Sequence, residues 1–348
     1  MAFPPDSPQI PKTTKPHLTE AAVGVVVIGR NEGERLKICL RSLTGQAEHI
    51  VYVDSGSSDG SLEYAQAWGA TVVALERPFT AARARNAGLD RLRAMYPEIP
   101  SVQFLDGDCE LRPGWLHTGA IALARDPGLA VVSGRLRERF PEASIYNRLC
   151  DLEWDRPAGP AESSGGIAMM RIAAFAEMKG FRPDLIAGEE PDLCFRLRQR
   201  GYRVLRLDAE MALHDAAILH FGQWWRRARR SGHSYAEGAA RHRHEPGLFW
   251  QRESRRIALW GLALPSLAIG FSIPTVGLSL ALLAGYPALG WRIYRASRKQ
   301  GRSPADARLY AQFCVLGKIP EGLGLAEYWL RRLAKSPSTI IEHKAPTR

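Results

Sequence analysis

The sequence predicts an α/β protein: a mostly parallel sheet flanked by helices, followed by a C-terminal apolar helical hairpin. Three observations carry this. Continuous apolar runs of strand length alternate with segments of helical periodicity through the first third of the chain. Acid-rich polar clusters fall where those runs stop. Farther on, the stretch from Ile257 to Trp291 holds no charged side chain over 35 residues. With 348 residues, the chain is long enough for one large α/β domain and an additional segment.

The first strand is Val23 to Ile28, followed by Gly29-Arg30-Asn31-Glu32 and a helix marked by Leu36, Cys39, Leu40 and Leu43. His49 to Val53 is the second strand, ending in Asp54-Ser55-Gly56-Ser57-Ser58-Asp59-Gly60. Ser61 to Trp68 reads as helix and Thr71 to Leu75 as the third strand. Apolar runs this continuous belong to strands covered on both faces. Ala81 to Gly88 is an Arg-rich segment, and Val102 to Leu105 is a further strand that ends in Asp106-Gly107-Asp108. Ligands of open α/β sheets bind beyond the carboxyl ends of the strands, where the three polar clusters fall. Two carboxylates one residue apart suit a divalent cation with hard oxygen preference, Mg²⁺ or Mn²⁺, that leaves positions open for phosphate. Asp-Gly-Asp is also ordinary turn sequence, so the surrounding clusters give it weight. No GxGxxG and no GxxxxGK[ST] is present, which leaves metal and side chains such as Arg83 and Arg85 to handle a phosphate.

Later segments add Gly188-Glu189-Glu190-Pro191-Asp192-Leu193, a strand from Tyr202 to Leu207, then His214-Asp215. Adjacent acids at a helix start also serve the helix dipole, a role that fits Asp192 best. Five scattered cysteines, none in a CxxC pair, argue against a disulfide framework or a zinc site and fit a reducing compartment.

The net charge of +11 is local. Between Gln223 and Arg302 there are fourteen Lys/Arg against three acids, a surplus equal to that of the entire chain. It brackets the uncharged stretch, with Arg252, Arg255 and Arg256 before it and Arg292, Arg295, Arg298 and Lys299 after it. Thirty-five residues exceed the roughly 20 of one membrane span and suit a hairpin whose basic ends stay on one side, the cytoplasmic. Pro265, Pro274 and Pro287 shorten each half, so a re-entrant or interfacial pair is the alternative. Confinement of the surplus beside apolar sequence points to membrane lipid and away from nucleic acid.

The expected organisation is therefore a disordered tail at 1–20, a catalytic domain at 21–240, a basic linker at 241–256, a membrane hairpin at 257–294 and a cytoplasmic amphipathic tail at 295–348. The final dozen residues read as disordered.

In order, Val-Val-Ile-Gly-Arg-Asn-Glu (26–32), Val-Asp-Ser-Gly-Ser-Ser-Asp-Gly (53–60), Ala-Arg-Asn-Ala-Gly-Leu (84–89), Leu-Asp-Gly-Asp (105–108) and the 188–193 and 196–201 segments resemble a family 2 glycosyltransferase. The resemblance implies a GT-A fold and a nucleotide-diphosphate sugar donor. It places Asp54 at the nucleotide base beside Arg30 and Asn31, Asp106 near ribose and metal, and Asp108 on the metal, with Arg85 assisting the phosphates. The family's usual Glu-Asp pair is Glu189-Glu190 here. Glu190 takes the position of the acceptor-deprotonating base and Glu189 is its neighbour. His214 is the implied third metal ligand. Gln223-Trp224-Trp225-Arg226 resembles the Gln-x-x-Arg-Trp element of processive synthases, with Arg226 near the diphosphate and Arg227 where Trp is usual. The alternative for this segment is a basic amphipathic helix on anionic lipid.

The expected function is an inverting, membrane-anchored transfer of sugar to a lipid-linked or envelope-polysaccharide acceptor. A sugar nucleotidyltransferase would need a Gly-rich basic activation loop, which Gly29-Arg30-Asn31-Glu32-Gly33 matches poorly. A non-catalytic membrane adaptor would have no need of acids at strand ends.

Overall fold

The structure, a computed structural model, describes residues 22–336. The expected tails at 1–20 and over the final dozen residues lie outside the described residues. Strands β1 (Val23–Gly29), β2 (His49–Asp54), β3 (Thr71–Ala74), β4 (Ser101–Asp106), β5 (Cys109–Leu111), β6 (Leu129–Glu138), β7 (Gly159–Pro160), β8 (Ala168–Arg171) and β9 (Arg203–His214) form one sheet. Its order is β3-β2-β1-β4-β8-β6-β9-β5, with β7 pairing β9.

The expectation of a mostly parallel sheet needs correction. β3, β2, β1 and β4 are parallel, as the strand–helix alternation implies. β8 then runs antiparallel to both β4 and β6, and β5 and β7 run antiparallel to β9. The sheet is mixed because β5 follows β4 after a two-residue turn and β8 returns from the far side of the sheet, neither through a crossover helix.

Helices α1 (Glu34–Ser42), α2 (Ser61–Trp68), α3 (Ala81–Met95), α4 (Trp115–Arg125), α5 (Ile145–Trp154), α6 (Ile172–Glu177) and α7 (Glu189–Gln199) belong to this layer. Alternate side chains of each strand enter opposite cores. Val25, Val27, Tyr52 and Leu105 pack with Leu36, Leu40 and Trp115 on one face. Val26, Val51, Val53 and Phe104 pack with Leu89, Leu92 and Leu193 on the other. α3 lies close over β1 because Gly88 has no Cβ; an added one would meet the Val26 side chain.

Helix α8 (Phe221–Arg241) leads to α9 (Gln251–Ile257), a π-helical turn at Ala258–Ala263, α10 (Leu264–Gly270), a 3₁₀ stretch at Leu278–Ala284, α11 (Gly285–Lys299), α12 (Pro304–Leu316) and α13 (Lys318–Leu333). α13 packs on α8 at backbone distance, since a Cβ at Gly324 would run into the Arg229 carbonyl oxygen and one at Gly232 into that of Glu321. The segment after residue 295 is thus built into the molecule. The stretch expected as a linker is anchored too, with His242 fully buried and its Nε2 2.7 Å from Asp192.

Ile257 to Trp291 reverses direction as expected, in turns between Gly270 and Leu278. Among the described residues, however, no helix is long and apolar enough to cross a membrane. The arm from Ala258 through Gly270 reaches about 20 Å at 1.5 Å per residue, short of the ~30 Å hydrocarbon core. The transmembrane helix expected from composition is thus not found among the described residues. The arm's outer side and tip remain uncovered: Ile269, Phe271, Ile273, Val276 and Leu278 are all exposed.

Candidate active site

Pairing of β1 with β2 and β4 sets Gly29 beside Asp54 and Ile28 beside Asp106, so three of the sequence clusters meet at one sheet edge. The first is a turn stabilised from within. The Asp54 Oδ2 accepts the amides of Gly56 and Ser57, and its Oδ1 accepts the Tyr52 hydroxyl at 3.0 Å. Asn31 completes the turn: its amide donates to Ser57 Oγ and its Oδ1 accepts the Ser58 amide. Arg30 is exposed, its guanidinium 5.6 Å from the Phe79 ring. Both Asp54 oxygens are engaged by protein groups, so the carboxylate shapes the loop on which a base would rest.

Arg85 ties the donor side together. Carried on α3 and 3% exposed, it donates to Asp106 Oδ1 at 2.8 Å and to Glu189 Oε1 at 2.5 Å. Burial opposes its charge, but the two carboxylates outweigh burial and hold its pKa above the ordinary arginine value. Asp106 is therefore a partner of Arg85 and lies outside the compact ligand group found around Asp108.

That group is made by strand register. β5 pairs with β9 so that Cys109 faces His214, and the Asp108 carbonyl accepts the Asp215 amide. His214 Nε2 lies 3.2 Å from Asp108 Oδ1, and the two groups join Cys109 in a set whose ligand atoms all fall within 4.8 Å. The imidazole is stacked on Trp154 at 4.6 Å with 4° between planes, and neither ring nitrogen finds a hydrogen-bond partner among the described residues. Burial pushes its pKa down, keeping the neutral, ligating form. A buried carboxylate facing an orphaned neutral imidazole fits a divalent cation. The Cys109 thiol does not, because burial, Asp106 and Cys39 push its pKa well up and a protonated sulfur is a poor ligand for hard ions.

Glu189 and Glu190 open α7 and diverge. Glu189 faces Arg85. Glu190, 1% exposed, turns toward the 163–166 loop, where its Oε1 accepts the Ser164 amide and hydroxyl, both at 2.7 Å, and its Oε2 accepts the Gly165 amide at 3.0 Å. The Cys194 thiol lies 2.8 Å from the same Oε1. Asp192 takes Arg182, Arg196 and His242; burial alone would raise its pKa, and these partners bring it below the usual carboxylate range.

Arg226 is exposed on α8, away from this centre. Its place is taken by Arg230, one turn on, which feels the charges of Glu189, Asp106 and Arg85 while its Nη2 donates to the Ile186 carbonyl. The i, i+4 spacing from Arg226 was the available signal. Gln223 serves the start of α8, accepting the Leu219 and His220 amides. Sequence reasoning placed Ser164 only within a candidate acceptor region, 163–170, with no role for it, and missed Trp154 and Glu138. Glu138 accepts the Ala216 amide and so fixes the chain just past His214.

Residues 24–167 match the family model described as glycosyl transferase family 2. The pre-mycofactocin glycosyltransferases of two Mycobacterium tuberculosis strains are 28% identical over 235 residues, covering 63% of this chain. The chain spans about half, 48%, of the length of these curated relatives. A mannosyltransferase from Pyrobaculum calidifontis, solved with GDP-mannose and Mn²⁺, superposes with a TM-score of 0.56 at 22% identity, covering 84% of this chain and 86% of that one. The mixed, helix-flanked sheet is thus GT-A-like.

Proposed function

We propose that the chain is a family 2 glycosyltransferase, the family whose model matches residues 24–167, and that it transfers a sugar from a nucleotide-diphosphate donor to an acceptor hydroxyl at the cytoplasmic membrane surface, with inversion. The observation that carries the donor half is the buried Asp108–His214 pair at the end of strands whose neighbouring turn, 54–60, is preformed. Asp108 and His214 would hold Mg²⁺ or Mn²⁺, which when bound neutralises charge on the departing nucleoside diphosphate. The Pyrobaculum enzyme's GDP-mannose and Mn²⁺ support a donor and ion of these classes on this fold. Arg85 and Arg230 add fixed positive charge on the same side. A non-catalytic adaptor is disfavoured, since a buried imidazole with no hydrogen-bond partner among the described residues costs stability unless something binds it.

Glu190 is the acceptor base in this reading. The Ser164 hydroxyl already donates to its Oε1 at 2.7 Å, and an acceptor hydroxyl in that place would have the geometry for deprotonation. Four donors occupy this carboxylate, so the 163–166 turn must release an oxygen when acceptor enters. Glu189 keeps Arg85 neutralised.

The exposed apolar tip with basic flanks supports insertion of the hairpin into one leaflet, with both ends on the cytoplasmic side. The acceptor is then lipid-linked or a nascent envelope polysaccharide presented at that surface.

Purified full-length chain, a panel of nucleotide sugars and Mn²⁺ or Mg²⁺ test the reading through release of nucleoside diphosphate. Metal-dependent release lost in Asp108→Ala supports it; turnover unaffected by that substitution sinks the metal assignment. Glu190→Gln should abolish transfer while leaving donor binding intact. Transfer surviving in Glu190→Gln and lost in Glu189→Gln would move the base to Glu189.

A further inference from the structure

A cavity of about 890 Å³ lies between the catalytic layer and the C-terminal helices, lined from α5, β9, α8, α12 and the start of α13. Its wall carries Arg135, Arg156, Arg206, Arg227, Arg302 and Lys318. Three of these have acids beside them: Arg227 pairs with Glu153, Lys318 with Glu321, and Arg135 with Asp208 and Glu210. For Arg156, Arg206 and Arg302, no carboxylate lies within ion-pair distance among the described residues. Arg206 is the informative one. It is 7% exposed, and its hydrogen bond from Nη1 reaches only the Gly134 carbonyl, at 3.0 Å. Burial first and the neighbouring Arg156 second push its pKa down, and Glu190 and Asp155 offset them only in part. A buried guanidinium beside a second one is costly without a counter-anion.

The cavity communicates with the catalytic acid through a short piece of chain. Arg206 is paired in register with Gly159 of β7, and five residues later Ser164 and Gly165 hold Glu190. Glu190 is itself among the charges acting on Arg206. Aromatic side chains stand beside these cations: Trp224 meets Phe313 edge-on at 4.9 Å, and the Arg302 guanidinium sits 4.2 Å from the Tyr310 ring. The lining therefore offers cations for an anion and, next to them, aromatic surface for a hydrophobic stem.

We propose that this cavity is an anion subsite for the acceptor, holding its phosphate group on Arg206, Arg302 and Arg156 while its hydroxyl-bearing part reaches Glu190. The inference deepens the transferase reading and rests on it for the word acceptor; the binding of phosphate itself does not. Guanidinium groups match phosphate geometry and remain charged when desolvated. None of Asp106, Asp108 and His214, the donor-side residues, lines this cavity, so the two phosphates are distinct.

Equilibrium binding of dodecyl phosphate, dodecanol and inorganic phosphate to the full chain tests this, with GDP and UDP binding in Mn²⁺ measured in parallel. Dodecyl phosphate should bind, inorganic phosphate should compete with it, and dodecanol should bind at least tenfold more weakly. Arg206→Gln should weaken dodecyl phosphate about tenfold or more and leave nucleotide binding unchanged. Arg302→Gln, at a less buried position, should do the same to a smaller extent and keeps the test valid if the first variant fails to fold. Dodecyl phosphate binding tighter than inorganic phosphate assigns the group to an amphiphile; equal affinities assign it to a soluble phosphate ester. Absence of phosphate binding, or binding indifferent to both arginines, overturns the subsite. Loss of nucleotide binding by the wild type with phosphate binding intact would instead overturn the donor reading.

Discussion

At the strand ends, Arg85, Asp108, Glu189 and Glu190 are nine-tenths or more buried: Arg85 is paired with Glu189, the 163–166 turn donates to Glu190, and Asp108 faces the neutral His214. At the hairpin tip, Ile273 and Val276 are 89% and 96% exposed, and nothing among the described residues covers them. The first region buries what water prefers to solvate, and the second exposes what water excludes. Each departure from ordinary burial points to a ligand outside the chain: a metal–phosphate group in one case, a lipid surface in the other. The interposed C-terminal helices behave as ordinary core, with glycine-mediated contacts between α8 and α13. The difference teaches that departures from ordinary burial, charge inside and apolar surface outside, are what mark the two regions on which the proposed function rests.

The comparison breaks most severely at Asp108. Asp108→Ala should lower metal-dependent turnover by about 10²–10³ or more, the scale seen when a main stabiliser of developing charge is removed. Steady-state rates across an Mn²⁺ titration would check it, together with thermal unfolding to confirm an intact fold.

Next come the C-terminal helices between the two regions. Gly324→Val forces a side chain into the Arg229 carbonyl and should cost about 3 kcal/mol, the upper part of the overpacking range. Denaturant unfolding reads this directly, and vesicle binding should fall with it because α13 packs against the π-helical turn that begins the hairpin.

Val276→Glu separates the regions in the other direction. Stability should stay within about 0.5 kcal/mol, as for an exposed position. Sedimentation with anionic vesicles should weaken about tenfold, since the cost of a carboxylate at the membrane outweighs a lost methyl pair. Retained vesicle binding would remove the hairpin from the membrane reading.

The smallest effect concerns pH. Asp192 has a folded-state pKa below its unfolded value, so its contribution to stability is present above the unfolded carboxylate pKa and is lost as pH falls through the folded one. Stability measured down an acid series should decline over that window. In Asp192→Asn the decline should be shallower, and the amide leaves Arg182, Arg196 and His242 without their common anion.

Much of the site was legible because strand ends are local features. The runs before Asp54 and Asp106 announced both strands, and parallel pairing of β1 with each made their ends neighbours. The Asp-Gly-Asp turn was visible as well, but the two acids' separate partners were not. Arg85 comes to Asp106 from α3 and His214 comes to Asp108 from β9, and no spacing rule encodes either approach. The placing of Arg226 went astray because residues four apart on a helix look alike until its contacts are known. Arg230 faces the acids and Arg226 the solvent.

What the sequence determined by itself is what short-range pattern controls: alternating strands and helices, acids at strand ends, and a charge-free hairpin with basic flanks. Tertiary structure decided the rest. It made the sheet mixed through the return of β8, set His214 against Asp108 by antiparallel register, and wrapped Glu190 in the 163–166 turn. It also gathered arginines from β6, the segment after α5, β9, α8 and the segment after α11 around one cavity. The physical reason is range: hydrogen-bonded pairing and desolvation act between groups far apart in the chain, and their outcome depends on where the other elements pack.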